Sequence, residues 1–288
     1  MPFTGEKSFM GTEVTECTIP ISESLTLRLY SDTRPRNQHI ADLQKGLILV
    51  YKGTELVGEG TGFGVPIVRY RSKTYFSGSA IMQIFNEGHR TIAVKEFTLD
   101  MIPETMLGEA KIENTLQRKL ENYVEGLYHK HKRWRGAFET LKLKNLSKIM
   151  GLQTRFAPAK PVGNISVTYR IDPPVIHVRA HFNLLKRKDL QKVFLLNEQS
   201  SKYFRKFQDS NGTILFDEHI GPWEKVEADW ACVSNLSEKI SFRVCKVKGA
   251  VLRRGREILD DTLCWIGLDY EVSPEKTFFD YYIEIQES

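Results

Sequence analysis

The sequence predicts a mainly β protein, a large antiparallel β-sandwich with one helical insertion around 111–150. Three observations carry this. Short apolar runs, many of them alternating with polar residues, recur between turn residues in both the first hundred and the last 125 or so positions. The later runs lack the regular crossover helices that a parallel sheet needs. From Lys111 the spacing turns helical, with Ile112, Leu116, Leu120, Val124 and Leu127 falling every three or four residues.

The early elements follow from the same patterns. Leu25 to Tyr30 alternates, Gly46 to Tyr51 is a compact apolar run, and Lys52-Gly53 turns it into Thr54 to Val57. Further strands are expected at 65–70, 74–76, 80–85 and 91–99. Gly136 interrupts the helical stretch, Gly151 stops it, and Ala157 to Gly163 reads as a stiff connector. Strands resume at 165–171, 175–182, 193–196, 213–216, 226–233, 240–247, 262–272 and 278–285, with a hairpin turn at Asp209 to Gly212. The 288 residues suit a single domain spanning 1–288, or two β domains at 1–110 and 164–288. The single domain is preferred because no long polar linker separates the blocks.

Composition bounds the function. Apolar residues make up 41% and charged residues 27%, so the chain is neither disordered nor membrane-spanning by composition, and no apolar run approaches a transmembrane segment. The start lacks a basic region followed by an apolar stretch, and Cys17, Cys232, Cys245 and Cys264 form no Cys-x-x-Cys pair. A cytoplasmic protein with reduced thiols is expected, although Cys232 and Cys245 have the spacing of cross-strand neighbours. The net charge of +5 is uneven, with twelve basic and four acidic residues between Lys111 and Lys160. Basic character therefore belongs to one segment. Its densest part, His129 to Arg135, is the candidate patch for nucleic acid or an anionic surface.

Four glycines, Gly58, Gly60, Gly62 and Gly64, occupy alternate positions. Were the run extended, one face would be bare, and a second backbone, an aromatic ring or a flat ligand would approach closely. Glu59 stands on the other face. Val175 to Phe182 alternates, placing Ile176, Val178, Ala180 and Phe182 on one side and His177, Arg179 and His181 on the other. Arg179 between the histidines argues against a metal and for an anionic ligand, which its guanidinium would grip in two places. Phe216 to Trp223 gathers Asp217, Glu218, His219 and Trp223 in a Gly-Pro turn. Carboxylate, imidazole and a flat aromatic suit a sugar site, the ring stacking while the acid and base move protons.

These residues give three readings. The first is carbohydrate binding or processing in a cleft, with Glu59, Glu218 and His219 as acid–base groups and His177, Arg179, His181 and Trp223 holding a carbohydrate or anionic small molecule. It expects Glu59, His177, Arg179 and Glu218 to border one concave surface. The second is a non-catalytic interaction protein using the basic insertion, and the third is a β shell receiving an apolar ligand on the glycine face. Gly58, Gly60, Phe63 and Gly64, with Lys95 in Thr91 to Phe97, resemble the protein-kinase phosphate loop and its lysine strand, which would pair Lys95 with Glu113 or Glu121. The glycine spacing carries an insertion, and no His-Arg-Asp, Asp-Phe-Gly or Ala-Pro-Glu follows. The strand-rich layout with loops of acids, histidine and tryptophan resembles the large β-sandwiches of the galactose-mutarotase-like (supersandwich) group. That resemblance implies sugar isomerase or polysaccharide lyase chemistry as an expectation at the level of the fold alone.

Overall fold

The computed structural model describes residues 12–13, 15–31, 43–58, 60–71, 73–87, 90–107, 152–235, 237, 239–258 and 264–288. The helical insertion expected at 111–150, with its basic cluster, lies outside the described residues. So does Glu59. Among the described residues the fold is mainly β, and helix is limited to short 3-10 turns at Arg187–Asp189 and Asp217–Ile220.

The strands before the insertion are β1 (Thr12–Glu13), β2 (Glu16–Pro20), β3 (Leu25–Tyr30), β4 (Ile48–Tyr51), β5 (Thr54–Glu55), β6 (Gly62–Tyr70), β7 (Lys73–Glu87) and β8 (Arg90–Leu107). Those that follow are β9 (Leu152–Pro158), β10 (Gly163–Asp172), β11 (Val175–Leu184), β12 (Leu190–Ser200), β13 (Phe204–Asp209), β14 (Ile214–Phe216), β15 (Glu224–Lys225), β16 (Trp230–Asn235), β17 (Ile240–Cys245), β18 (Ala250–Ile258), β19 (Cys264–Val272) and β20 (Phe278–Glu287). The chain divides into two compact units, 1–102 with 158–288, and 103–157. Little of the second is described beyond the end of β8 and the start of β9.

In the first unit one antiparallel path runs β14-β13-β16-β17-β20-β11-β10-β8-β7-β6-β12-β19-β18-β15, and β2-β3-β4-β5 form a smaller sheet. Early strands β6 to β8 lie between late strands β10 and β12, so both strand-rich blocks contribute to one sheet. The two halves of the path face each other through aromatic rings. Phe63 of β6 meets Phe242 of β17 at 5.0 Å, and Tyr270 of β19 meets Phe279 and Tyr281 of β20 at 5.1 and 4.8 Å. Alternation explains which side chains turn inward. In β10, Ile165, Val167, Tyr169 and Ile171 are buried, with half-exposed residues between them.

The glycine run does not form the bare extended face. Gly58, Gly62 and Gly64 have φ of 51°, 82° and 77°, and the strand begins only at Gly62. Gly64 is an extra residue in β6: Val65 opposes Leu196 while Phe63 opposes Asn197. Left out of the ladder, the Gly64 N–H donates to Asn197 Oδ1 (3.2 Å), and that oxygen also accepts from Tyr281 (2.8 Å). The Tyr169 hydroxyl donates to the Phe63 carbonyl at 2.8 Å. Among the described residues, protein atoms stand close beside each of these glycines. A side chain at Gly62 would meet the Leu47 carbonyl, and one at Gly64 the Tyr169 ring.

Lys95 does not sit like a kinase lysine. It lies on β8, fully buried, facing the core beside Phe97, and donates to the backbone carbonyls of Tyr30 and Lys45. It ties the small sheet to the large one. Its proposed partners Glu113 and Glu121 lie outside the described residues.

Two glycines with similar backbone angles test this account. Gly53 has φ of 78° with nothing near its missing side chain, whereas one at Gly64 would stand 2.9 Å from the Tyr169 hydroxyl. Gly53→Ala should cost about 1 kcal/mol, the left-handed strain alone, and Gly64→Ala about 3 kcal/mol, strain plus overpacking. Chemical denaturation of both variants checks the difference.

Candidate functional site

The Gly64 bulge fixes the register that brings the most unusual side chains together. Beyond it, Gly62 on β6 opposes Glu198 on β12, Glu198 opposes Gly267 on β19, and Gly267 opposes Gly255 on β18. Directly paired residues share a face, so one carboxyl stands in a row otherwise free of side chains. Trp223 uses the space. A Cβ at Gly255 would lie 2.5 Å from its indole, and one at Gly267 3.0 Å from the same ring and 2.9 Å from the Glu198 side chain. The indole N–H donates to Glu257 Oε1 at 2.6 Å. Glu257 lies two residues beyond Gly255 and so shares its face.

Glu198 is 5% exposed. Its Oε2 accepts from the Thr61 hydroxyl at 2.9 Å. Lys45 lies near enough to lower its pKa, although the ammonium donates to the Gly58 and Gly60 carbonyls at 2.7 and 2.8 Å. Burial dominates. It disfavours the ionised form more than Thr61 and Lys45 favour it, and the Glu257 carboxylate adds to the rise, so Glu198 is pushed up to about 7. Asp269 stands on the same face, two residues from Gly267. Burial raises its pKa well above the usual aspartate value, and neighbouring Glu198 raises it further. One Asp269 oxygen accepts the Asn197 N–H at 2.8 Å, while the Asn197 side chain donates to the Leu268 carbonyl at 2.9 Å. These side chains fill a gap in the β12–β19 ladder.

Glu271, two residues further along β19, behaves oppositely. Burial raises it, but bonds from Lys192 and Arg253 outweigh that, and its pKa falls. Two cations make the difference. The row thus holds Glu198, pushed up to about 7, and a raised Asp269 beside a lowered Glu271, the kind of division that acid–base chemistry requires.

The residues nominated from sequence fall in separate places. Glu218 and His219 occupy the exposed turn at 217–220, and that turn leads into Trp223. His177, Arg179 and His181 line one face of β11. Between β11 and β14, the strand before that turn, lie β20, β17, β16 and β13, so the structure does not join the two groups in one cleft. Arg179 is not an open anion clamp, because Asp280 on β20 takes both arms of its guanidinium at 2.5 and 3.2 Å. His177 lies 3.4 Å from the same carboxylate. Its pKa is lowered, chiefly by burial, which outweighs the pull of Asp280. Cys232 opposes Arg243 and not Cys245, and all four cysteines are free.

Glu198, Asp269, Glu257 and Thr61 were missed. Two signals mark them. Asn197-Glu198-Gln199-Ser200 continues an apolar run without a glycine or proline, and Gly255 and Gly267 interrupt strand patterns.

No family model matches the chain, and no curated protein matches it. Among solved structures, the Slr1438 protein from Synechocystis sp. PCC 6803 is similar over 99% of each chain, with 8% identity and a TM-score of 0.37. Likeness at that level adds nothing to the reading of the site.

A titration tests the burial of Glu198. A pKa raised in the folded state contributes stability fully present below about 4.5, and that contribution is lost as pH rises through about 7. Glu198→Gln should flatten this fall and stabilise the protein above neutrality by on the order of 2 kcal/mol. Denaturant midpoints of both proteins across that range measure it.

Proposed function

We propose that the chain binds and processes a carbohydrate at the glycine-floored row, with Glu198 as the proton donor and Trp223 as the stacking surface. One observation carries the reading: a buried carboxyl that holds its proton near neutrality stands beside an indole laid flat on strand glycines. A protonated acid can donate to a glycosidic or ring oxygen, and an indole face suits the C–H face of a pyranose. Glu257 fixes the indole through its N–H. The Glu257 carboxylate adds to burial in opposing early loss of the Glu198 proton. Glu218 and His219 precede Trp223 on the same turn, at its exposed side. The reading keeps the sugar chemistry expected from the sequence and moves its acid from Glu218 to Glu198.

The test pairs two variants over a panel of neutral mono- and oligosaccharides, using tryptophan fluorescence for binding and proton NMR of the anomeric signals for turnover. Trp223→Ala should weaken binding at least about tenfold, the scale of losing an aromatic platform. Glu198→Gln should keep binding and lose turnover by on the order of a hundredfold or more. Saccharides that leave the wild-type fluorescence and spectra unchanged would refute the proposal.

A further inference from the structure

A second surface lies on the outward face of β10, β11 and β20, away from the Glu198 row. Register builds three rungs across it. Arg170, His177 and Tyr282 form the first, Thr168, Arg179 and Asp280 the second, and Ser166, His181 and Phe278 the third. The outer rungs end in exposed rings: Tyr282 is 59% and Phe278 49% accessible. Each ring is braced by its histidine. His177 stacks on Tyr282 at 4.7 Å and 21°, and His181 lies 6.0 Å from Phe278. Arg179 stands over Phe278 at 5.9 Å and is itself held by Asp280. Both rings are thus fixed before anything binds, which reduces the ordering cost of association.

The charges on this face select the occupant. Arg179 is matched by Asp280, Arg243 by Glu284, and Arg90 by Asp172. Glu96, opposite Ser166, accepts from Asn164 (2.7 Å) and Ser166 (3.3 Å). Four carboxylates, Asp172, Asp280, Glu284 and Glu96, thus stand among the four arginines Arg90, Arg170, Arg179 and Arg243, which leaves little net positive field for a phosphate backbone. A lipid surface would strand these polar groups without water. A neutral chain of hydroxyls uses both features, its C–H faces on the rings and its hydroxyls on the rung of paired donors and acceptors between them. Tyr282 and Phe278 are four residues apart on one strand, about 14 Å at the rise of a strand. That distance needs several linked sugars.

We propose that this face binds a neutral oligosaccharide or polysaccharide chain, stacked on Tyr282 and Phe278 and hydrogen-bonded to the Arg179–Asp280 rung between them. The choice of ligand class rests on the reading given for Glu198, but the surface is separate from that site. It would hold a polymer while the Glu198 row acts on a single unit.

The test is native affinity electrophoresis in gels containing soluble neutral glucans, mannans, xylans and galactans. The full chain is run beside the double variant Tyr282→Ala/Phe278→Ala, and beside Glu198→Gln as the control for the other site. Both rings are exposed, and equal thermal midpoints will verify that the double variant folds. The wild type and Glu198→Gln should be retarded equally by at least one polymer, and the double variant should lose at least about tenfold in affinity for it. Absence of retardation in every polymer overturns the proposal, as does retardation that the double variant keeps. Retention of a single-stranded oligonucleotide, or self-association, that disappears in the double variant would reassign the face to that partner. Ile81, Ile214 and Phe216 are exposed on the same side, which makes the self-association arm informative. Retardation lost in the double variant, with no turnover at Glu198, would sustain this surface and remove the Glu198 reading alone.

Discussion

A carboxyl can be buried at Glu198 because its neighbours on three adjacent strands have no side chains. Gly62, Gly267 and Gly255 leave the row open, and Trp223 lies down in the space. Replacing water with indole and backbone removes the high-dielectric medium that would stabilise the carboxylate. The protonation state of the site is therefore a consequence of strand register. Register in turn rests on the Gly64 bulge, since a slip of one residue would turn Glu198 into the core and Asn197 toward Trp223.

The balance between desolvation and charge is visible within β19. Asp269 and Glu271 lie on one face, two residues apart, and both are substantially buried. Lys192 and Arg253 reach Glu271 and hold it ionised, whereas the Asn197 N–H is too weak a partner to offset burial at Asp269. The same contrast separates the two surfaces. On the β11–β20 face burial lowers His177 while the bond to Asp280 raises Arg179, solvent reaches the paired groups, and the geometry suits hydrogen bonding more than proton transfer. In the other row Glu198 and Asp269 are buried, and there the proton is the variable.

Much of the architecture was legible in the sequence. Leu25 to Tyr30, the two blocks at 165–171 and 175–182, and the Asp209 to Gly212 hairpin are recovered because alternation and turn chemistry act locally. Ala250 to Ile258 is not legible as a strand, since three arginines and a glycine blur its alternation and its role as a bed for Trp223 depends on a distant loop. The glycine run was recognised as a place of close approach, but its positive φ angles and bulge depend on the partners Leu47, Asn197 and Tyr169, which no local pattern names. At the site, Trp223 was legible as an aromatic in an acidic turn. Its acid was not, because the burial that perturbs Glu198 is assembled from β6, β12, β18 and β19 together. Arg179 was identified as a two-armed clamp, and only the register of β11 against β20 reveals that Asp280 already fills it.

The central claim is that Glu198 carries a proton under near-neutral conditions because the glycine row buries it. Infrared difference spectroscopy with isotope-labelled glutamate reads that proton directly. The account predicts a protonated-carboxyl C=O band that persists at about pH 6, titrates away near about 7, and is missing from Glu198→Gln. A wild-type spectrum in which every glutamate is already ionised at about pH 6 would contradict it, since Glu198 would then be hydrated or paired in a way the glycine row does not permit.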